Sequence, residues 1–437
     1  MKTNQFTSFF CLALISAFLS INASLNALEG DSSKVGQRTE ISELGVSSNP
    51  GSVNIETGTG VLGETLGFSK ESGVRLGGLW IGDMNYLITG GFKPKNWSGN
   101  NLFQLALSLD SEKLNLWKGG LFEIEFLQFN GRATNADAGA VQGYNSLTVT
   151  PPLDRSELYQ LWFRQEFFEK KLIIRIGKMV TILDFNNVIK PLPLTDAGLA
   201  IPATTSLAYT PIFVNTTLLG ATPGYYNSAY GIFASYVPDD RLYVSYAAYD
   251  GNLARGKQTG LRGPQFNQYC FQITEVGCAW GLKDMPGNLS LGVWHQSGKL
   301  KIPHVTERGT GGLYLFGTQR LWRRNPGVDN SGIIGLIQFG INNSKTLPMQ
   351  RYYGAGLTFL GLVPERFDDS FGFGVATSKL NRHLFPRRNE WMYQGYYQAF
   401  LFEGAYFQSA LSYIPKPGAG KHLSHVWAAT ARIIALF

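Results

Sequence analysis

Eight side chains in the first half of the chain could do chemistry: Arg75, Asp83, Glu123, Glu125, Trp162, Arg164, Glu166 and Arg175. Most sit within stretches of alternating polarity rather than in charge-rich loops. Arg presents five N–H donors in a rigid planar fork, carboxylates accept, and Trp offers a flat apolar face with one donor. Such groups bind and release by hydrogen bonds and ion pairs; nothing in the set is arranged to break a bond. If Glu169-Lys170 is a two-residue turn, Arg164 and Arg175 face each other across a hairpin. Like charges so placed cost stability. They persist more readily beside water, with Glu125 or Glu166 as counter-charges. The plainer reading of the same residues is a solvated ladder of ion pairs that stiffens a wall.

Other reactive residue types are sparse. The five histidines, His295, His304, His383, His422 and His425, are all late in the chain. Neither a Gly-x-Ser-x-Gly elbow nor a His-Glu-x-x-His run is present. Catalysis is not expected, and neither is a cofactor or a metal. Of three cysteines, Cys11 lies in the leader; Cys270 and Cys278 flank a short segment beside a polar stretch. They are expected to form a loop disulfide rather than a metal site, since no His lies close by in sequence. The formal charge of +7 is modest and spread along the chain, which does not suggest nucleic acid.

The elements that must position these residues are strands. Val74, Leu76, Trp80 and Met84 share one phase, with Arg75, Asp83 and Asn85 in the other. Phe103, Leu105, Leu107 and Leu109 alternate with Gln104, Ser108 and Asp110. Phe122, Ile124 and Phe126 alternate with Glu123 and Glu125. Tyr159, Leu161 and Phe163 alternate with Gln160, Trp162, Arg164 and Glu166. Leu172, Ile174 and Ile176 alternate with Ile173 and Arg175. At the far end Trp427, Ala429, Ala431, Ile433 and Ala435 form an apolar phase that leads to Phe437, with Thr430 and Arg432 between them. An apolar face opposite a partly charged one suits a wall with lipid outside and water inside. Phe437 itself reads as an assembly signal for a barrel.

The N-terminus supports that compartment. Lys2, the apolar run Phe9–Leu19 and small residues at Ala23 and Ala27 read as a secretory signal over residues 1–27, too short to span a bilayer as a helix. Residues 28–70 are expected to be an irregular lead-in, and 71–437 an outer-membrane β-barrel. Glycine (51 residues) and aromatics (13%) suit tight turns and interfacial girdles, and the mean hydropathy of −0.06 fits strands with one wet and one oily face. The expected fold is all-β: an antiparallel transmembrane barrel of about 16 strands, 18 being possible, with short periplasmic turns and long extracellular loops. Loops are expected at 131–155, 186–228, 251–286, 320–332 and 379–390.

Particular stretches carry a family likeness: Val74–Tyr86 (VRLGGLWIGDMNY), Gly119–Gly131 (GGLFEIEFLQFNG), Ser156–Lys178 (SELYQLWFRQEFFEKKLIIRIGK), Asp184–Val188 (DFNNV) and Tyr413–Gly418 (YIPKPG). Over about residue 60 to the C-terminus the chain resembles the OprB-type carbohydrate-selective porin family. It departs from that family's N-terminal Trp-Gly-Gly signature, where Leu66-Gly67-Phe68 stands instead. The resemblance implies a 16-stranded outer-membrane pore in Gram-negative cells that passes mono- or oligosaccharides by diffusion. The eight residues above then become the candidate pore lining. Arginine forks would serve sugar hydroxyl pairs and aromatic faces the C–H side of a pyranose, with weak binding, as a pore requires. The remaining expected partners are outer-membrane lipids and the barrel-assembly machinery, with a monomer and a homotrimer both open. The alternatives are a general or mildly anion-preferring porin, a barrel-based adhesin or surface antigen, and an outer-membrane lipase.

Overall fold

In a computed structural model, the described residues are 60–437 apart from 70, 149–153, 187, 189–214, 225–226, 240, 256–261, 283–284, 327–330 and 403. The signal over 1–27, most of the 28–70 lead-in and much of the 186–228 stretch lie outside them. None of the described helices is long and apolar enough to cross a membrane.

Sixteen antiparallel strands close into one barrel. They are β1 (Val74–Thr89), β2 (Asn96–Asp110), β3 (Gly120–Asn130), β4 (Arg155–Phe167), β5 (Leu172–Met179), β6 (Ala229–Asp239), β7 (Leu242–Asp250) and β8 (Cys270–Leu282). β9 (Met285–Ile302), β10 (Val305–Arg323), β11 (Gly332–Asn342), β12 (Met349–Leu360), β13 (Ser370–Leu380), β14 (Asn389–Phe402), β15 (Ala405–Ile414) and β16 (Val426–Leu436) complete it. Each strand pairs with its sequence neighbours, and β16 returns to β1, so no edge is left unpaired. Phe437 secures the seam: its N–H donates to the carbonyl of Gly78 at 3.0 Å, and the Gly78 N–H donates back at 2.7 Å. Its ring stacks on Phe103 at 5.9 Å and fills the space where a Cβ on Gly78 would stand.

The alternation divides each strand as its period requires. On β3, Glu123 and Glu125 are 0% exposed, whereas Ile124 is 37% and Phe126 40% exposed. The charged phase faces the barrel interior and the apolar phase faces out. Stacked aromatics band both ends, Tyr86–Trp97 and Tyr413–Trp427 at one and Phe359–Phe371 at the other. The longest connections, between β3 and β4, β5 and β6, and β7 and β8, all join strand ends opposite Phe437.

Two expectations are corrected. The 251–286 stretch is not one loop, because β8 occupies Cys270–Leu282, pairing with β7 over Cys270–Cys278 and with β9 over Phe271–Leu282. Cys270 and Cys278 therefore stand on the same extended strand, and both are free thiols. Eight strand steps separate them by about 26 Å, whereas a disulfide needs Cα atoms within about 7 Å. Cys270 pairs across the sheet with Asp250, and Cys278 with Leu242 and Leu289.

Candidate functional site

Arg164 and Arg175 are direct cross-strand partners, as the spacing requires. The reversal runs from Phe168 to Lys171 rather than over two residues, with positive φ at Phe168, Glu169 and Lys170. Their positive charges are balanced separately. Arg164 Nη2 lies 3.1 Å from Glu166 Oε1, both side chains partly exposed at 20% and 14%. Arg175, 1% exposed, is bonded to the carboxylate of Asp184. Its guanidinium lies between two rings, 5.1 Å from the centroid of Trp162 and 5.2 Å from that of Phe233. Stacking against rings holds a guanidinium, and the edge is largely taken as well, Nε donating to Met179 Sδ at 3.2 Å and Nη2 to Asp184. Arg164 Nε, Arg175 Nη1 and Trp162 Nε1 have no hydrogen-bond partner among the described residues.

The neighbouring strand completes the cluster. Glu123 is the cross-strand partner of Trp162, and Glu125 accepts from Gln160 Nε2 at 2.5 Å. Glycine permits the arrangement at one point. Gly177 on β5 stands opposite Trp162, and a Cβ there would come within 2.6 Å of the Trp162 backbone. Six of the eight sequence candidates, Glu123, Glu125, Trp162, Arg164, Glu166 and Arg175, thus share one patch of inner wall on β3–β5.

The other two stand apart. Arg75 is buried near the Phe437 end of β1, against the start of a helical turn over Val61–Thr65, where Gly60 takes a left-handed φ of 85°. Asp83, midway along β1, is enclosed in a buried ion pair with Arg432 at 2.8 Å, its direct partner across the β1–β16 seam.

Asp83 also reveals what sequence reasoning missed. It accepts from Asn145 Nδ2 at 2.9 Å, and Asn145 Oδ1 accepts from Arg432 Nη2 at 2.7 Å. Asn145 belongs to the 131–154 connection, so that segment turns into the barrel instead of standing away from its rim. A second carboxylate grips the same segment: Glu390 on β14 accepts the N–H groups of Val141 at 3.0 Å and Gln142 at 2.7 Å. Burial, then the negative charges of Asp83 and Asp137, push the Tyr144 phenol of this segment up, so it stays neutral. On the opposite wall Glu275 of β8 accepts from the hydroxyls of Tyr243 and Tyr314 and from the Asn186 N–H at 2.7 Å. With Asp184 on Arg175, it draws residues 180–186 inward. Segment 215–218 joins them through Thr216 Oγ1 on Ser378 at 2.8 Å and Asn342 Nδ2 on the Thr217 carbonyl at 2.8 Å.

Two chain segments are thus folded inside a sixteen-stranded wall, beside a patch of arginines and carboxylates. The family model of the carbohydrate-selective porins (OprB family) matches residues 98–432. The chain belongs to the OprB family of carbohydrate-selective porins. It is 21% identical over 347 residues to Porin B of Pseudomonas aeruginosa, covering 71% of this chain and 70% of that protein. Its fold matches Pseudomonas putida OprB at high pH with a TM-score of 0.72 and 18% identity, over 86% of this chain and 96% of that one. The low-pH structure of the same protein matches at 0.55 and 14%, over 88% of this chain and all (100%) of that one. The porin is thus a channel of the Gram-negative outer membrane and not an enzyme.

Proposed function

We propose that the β3–β5 patch is where this porin meets sugars during passive diffusion, with Arg164 and Glu166 as the contacting pair. The supporting observation is the facing Arg164–Arg175 pair, in which each guanidinium has its own carboxylate while Arg164 and Glu166 stay partly exposed. Arg164 and Glu166 retain exposure, so they can exchange partners with a passing hydroxyl. Arg175 is a positioning residue: Asp184, Trp162 and Phe233 fix it, and its charge keeps Arg164 from collapsing onto the wall. Glu123 and Glu125 stand buried behind the patch on the adjoining strand, Glu125 holding Gln160. Each exposed hydrogen bond contributes about 1 kcal/mol, so binding is loose and release fast, as diffusion demands.

Liposome swelling tests this reading. Wild-type protein should admit monosaccharides faster than amino acids of similar size, and Arg164→Ala should remove that preference while ions still pass. Equal rates for sugars and amino acids in the wild type would instead identify a general porin. Phe437, closing the seam, is proposed as the feature read by the barrel-assembly machinery; deleting it should lower the folded yield in vivo without altering the pore of the molecules that do fold.

A further inference from the structure

The outward face carries a hollow that sugar passage does not use. Where β13 to β16 meet β1, the outward residues in the middle of the wall are small, notably Gly395, Ser409, Ala429 and Ala431. The hollow has a volume of about 750 Å³ and an almost wholly apolar lining. It is open space rather than a tight strand contact: a Cβ on Gly395 would meet nothing nearer than the Gly372 carbonyl oxygen at 3.7 Å. Stacked aromatics form its upper border, Tyr413–Trp427 at 4.5 Å and Tyr86–Trp97 at 4.5 Å. These rings lie at the strand ends opposite Phe437, the extracellular side of a porin whose longest loops are there.

The connections above the hollow have one sign of charge. Residues 90–95, 381–388 and 415–425 contain Lys93, Lys95, Arg382, Arg388, Lys416 and Lys421, as well as Arg387, and no Asp or Glu. Arg387 is spent on the carbonyls of Gly420, Lys421 and Leu423, and Lys93 on Asp137. Lys95, Lys416 and Lys421 are exposed. Below the same strands, the 361–369 turn is instead net acidic, with Glu365, Asp368 and Asp369 against Arg366. Around the hollow, exposed cations without acidic neighbours in the same connections therefore lie at the end of the outer leaflet's headgroups.

We propose that this hollow seats an acyl chain of a phosphorylated outer-leaflet glycolipid, lipopolysaccharide, whose phosphate rests among Lys95, Lys416 and Lys421. Apolar space, an aromatic ledge at interface height and a cationic rim match the three parts of such a lipid. A second copy of the chain is a poorer occupant, because it would bring two acid-free cationic rims to the same height. The site is on the outside of the wall and independent of the sugar reading.

The test uses folded full-length porin in detergent, bisphosphorylated lipid A as probe, and native mass spectrometry. Wild type should retain one lipid A after detergent is stripped. Gly395→Leu, which fills the hollow, should lower occupancy at least tenfold, and Lys95→Ala/Lys421→Ala several-fold. Enzymatically dephosphorylated lipid A should bind as weakly to wild type as intact lipid A binds to the double variant. If Gly395→Leu does not fold, Ala429→Leu fills the same space from β16. Unchanged occupancy in a folded hollow-filled variant, or equal retention of dephosphorylated lipid, overturns the proposal. So does an oligomer that the filled variant breaks while lipid occupancy stays constant, since the hollow would then be an interface between copies. Sugar entry into liposomes should be unaffected throughout, so failure here leaves the pore reading standing.

Discussion

Two walls of the same barrel solve one problem with opposite chemistry. Around β16, β1 and β2 the middle of the inward phase is polar: Asp83, Asn85, Asn100, Thr430 and Arg432 join in one buried hydrogen-bonded group with Asn145. Around β6 to β10 the inward phase carries a run of rings among its polar residues: Phe233, Tyr249, Phe271, Trp294, Tyr314 and Phe316 are all buried. Each wall nevertheless holds an inward-folded segment by a strand carboxylate, Asp83 in the first and Glu275 in the second. A barrel interior is thus not bound to be polar. What it must do is satisfy the polar groups of whatever folds into it, and rings can carry the packing once a few acceptors serve the backbone.

The largest effect is expected on the polar wall. Removing one member of the buried Asp83–Arg432 pair strands the other, a cost of about 3–5 kcal/mol. Arg432→Met should therefore lower the temperature at which the folded band converts to the unfolded band in heat-modifiability gels by many degrees. A shift no larger than that of an outward substitution such as Ile433→Val would show that the pair is not buried as described.

On the aromatic wall Glu275→Gln should cost less, about 1–3 kcal/mol, because the amide still accepts from one of the two tyrosines. Its signature should be in conductance: with residues 180–186 less firmly held, single-channel current should become noisier. A quiet, wild-type trace would separate Glu275 from control of that segment. Gly292→Val, which places side-chain atoms against the Tyr314 ring, should cost about 1–3 kcal/mol by overpacking, read by the same gels. Tolerance of valine there would mean the rings do not lie flat on the wall.

The smallest effect lies at neither wall, in the 361–369 turn. Burial pushes the Asp369 carboxyl up, but bonds from Arg366, the Tyr397 hydroxyl and the Phe400 N–H outweigh it and hold the group below its ordinary range. A carboxyl lowered in the folded state contributes stability above its unfolded pKa and loses it as pH falls through the folded value. Stability should therefore decline on acidification below the ordinary carboxylate range, and Asp369→Asn should flatten that limb slightly. A limb identical in the variant would assign the acid sensitivity elsewhere.

The contrast between walls also explains what could be read in advance. On β3, charges at Glu123 and Glu125 between Phe122, Ile124 and Phe126 announce inside and outside directly, and the Arg164–Arg175 pairing follows from arithmetic on a short reversal. On β8 the rule inverts near the outer end: Phe271 and Ile273 face in while Gln272 and Thr274 face out. Periodicity is intact there, but polarity does not label the faces, so the spacing of Cys270 and Cys278 suggests a loop staple where a strand runs. The loop clamps were out of reach for another reason. Gln142 and Glu390 stand 248 residues apart in sequence, and no local pattern marks an acceptor whose donors come from so far away. Arg432 was visible as a charge in an apolar strand, but its partner became evident only once β16 met β1.

The most direct test of the account is sugar-dependent block of single-channel current in Arg164→Ala, compared with Asn85→Ala on the polar wall. Arg175 is better replaced by Lys than Ala, since losing its charge would strand Asp184. The account predicts that Arg164→Ala loses most of the sugar-dependent block, Arg175→Lys part of it, and Asn85→Ala little, with all three folded. Undiminished block in Arg164→Ala together with a loss in Asn85→Ala would contradict it and move the sugar path to the other wall.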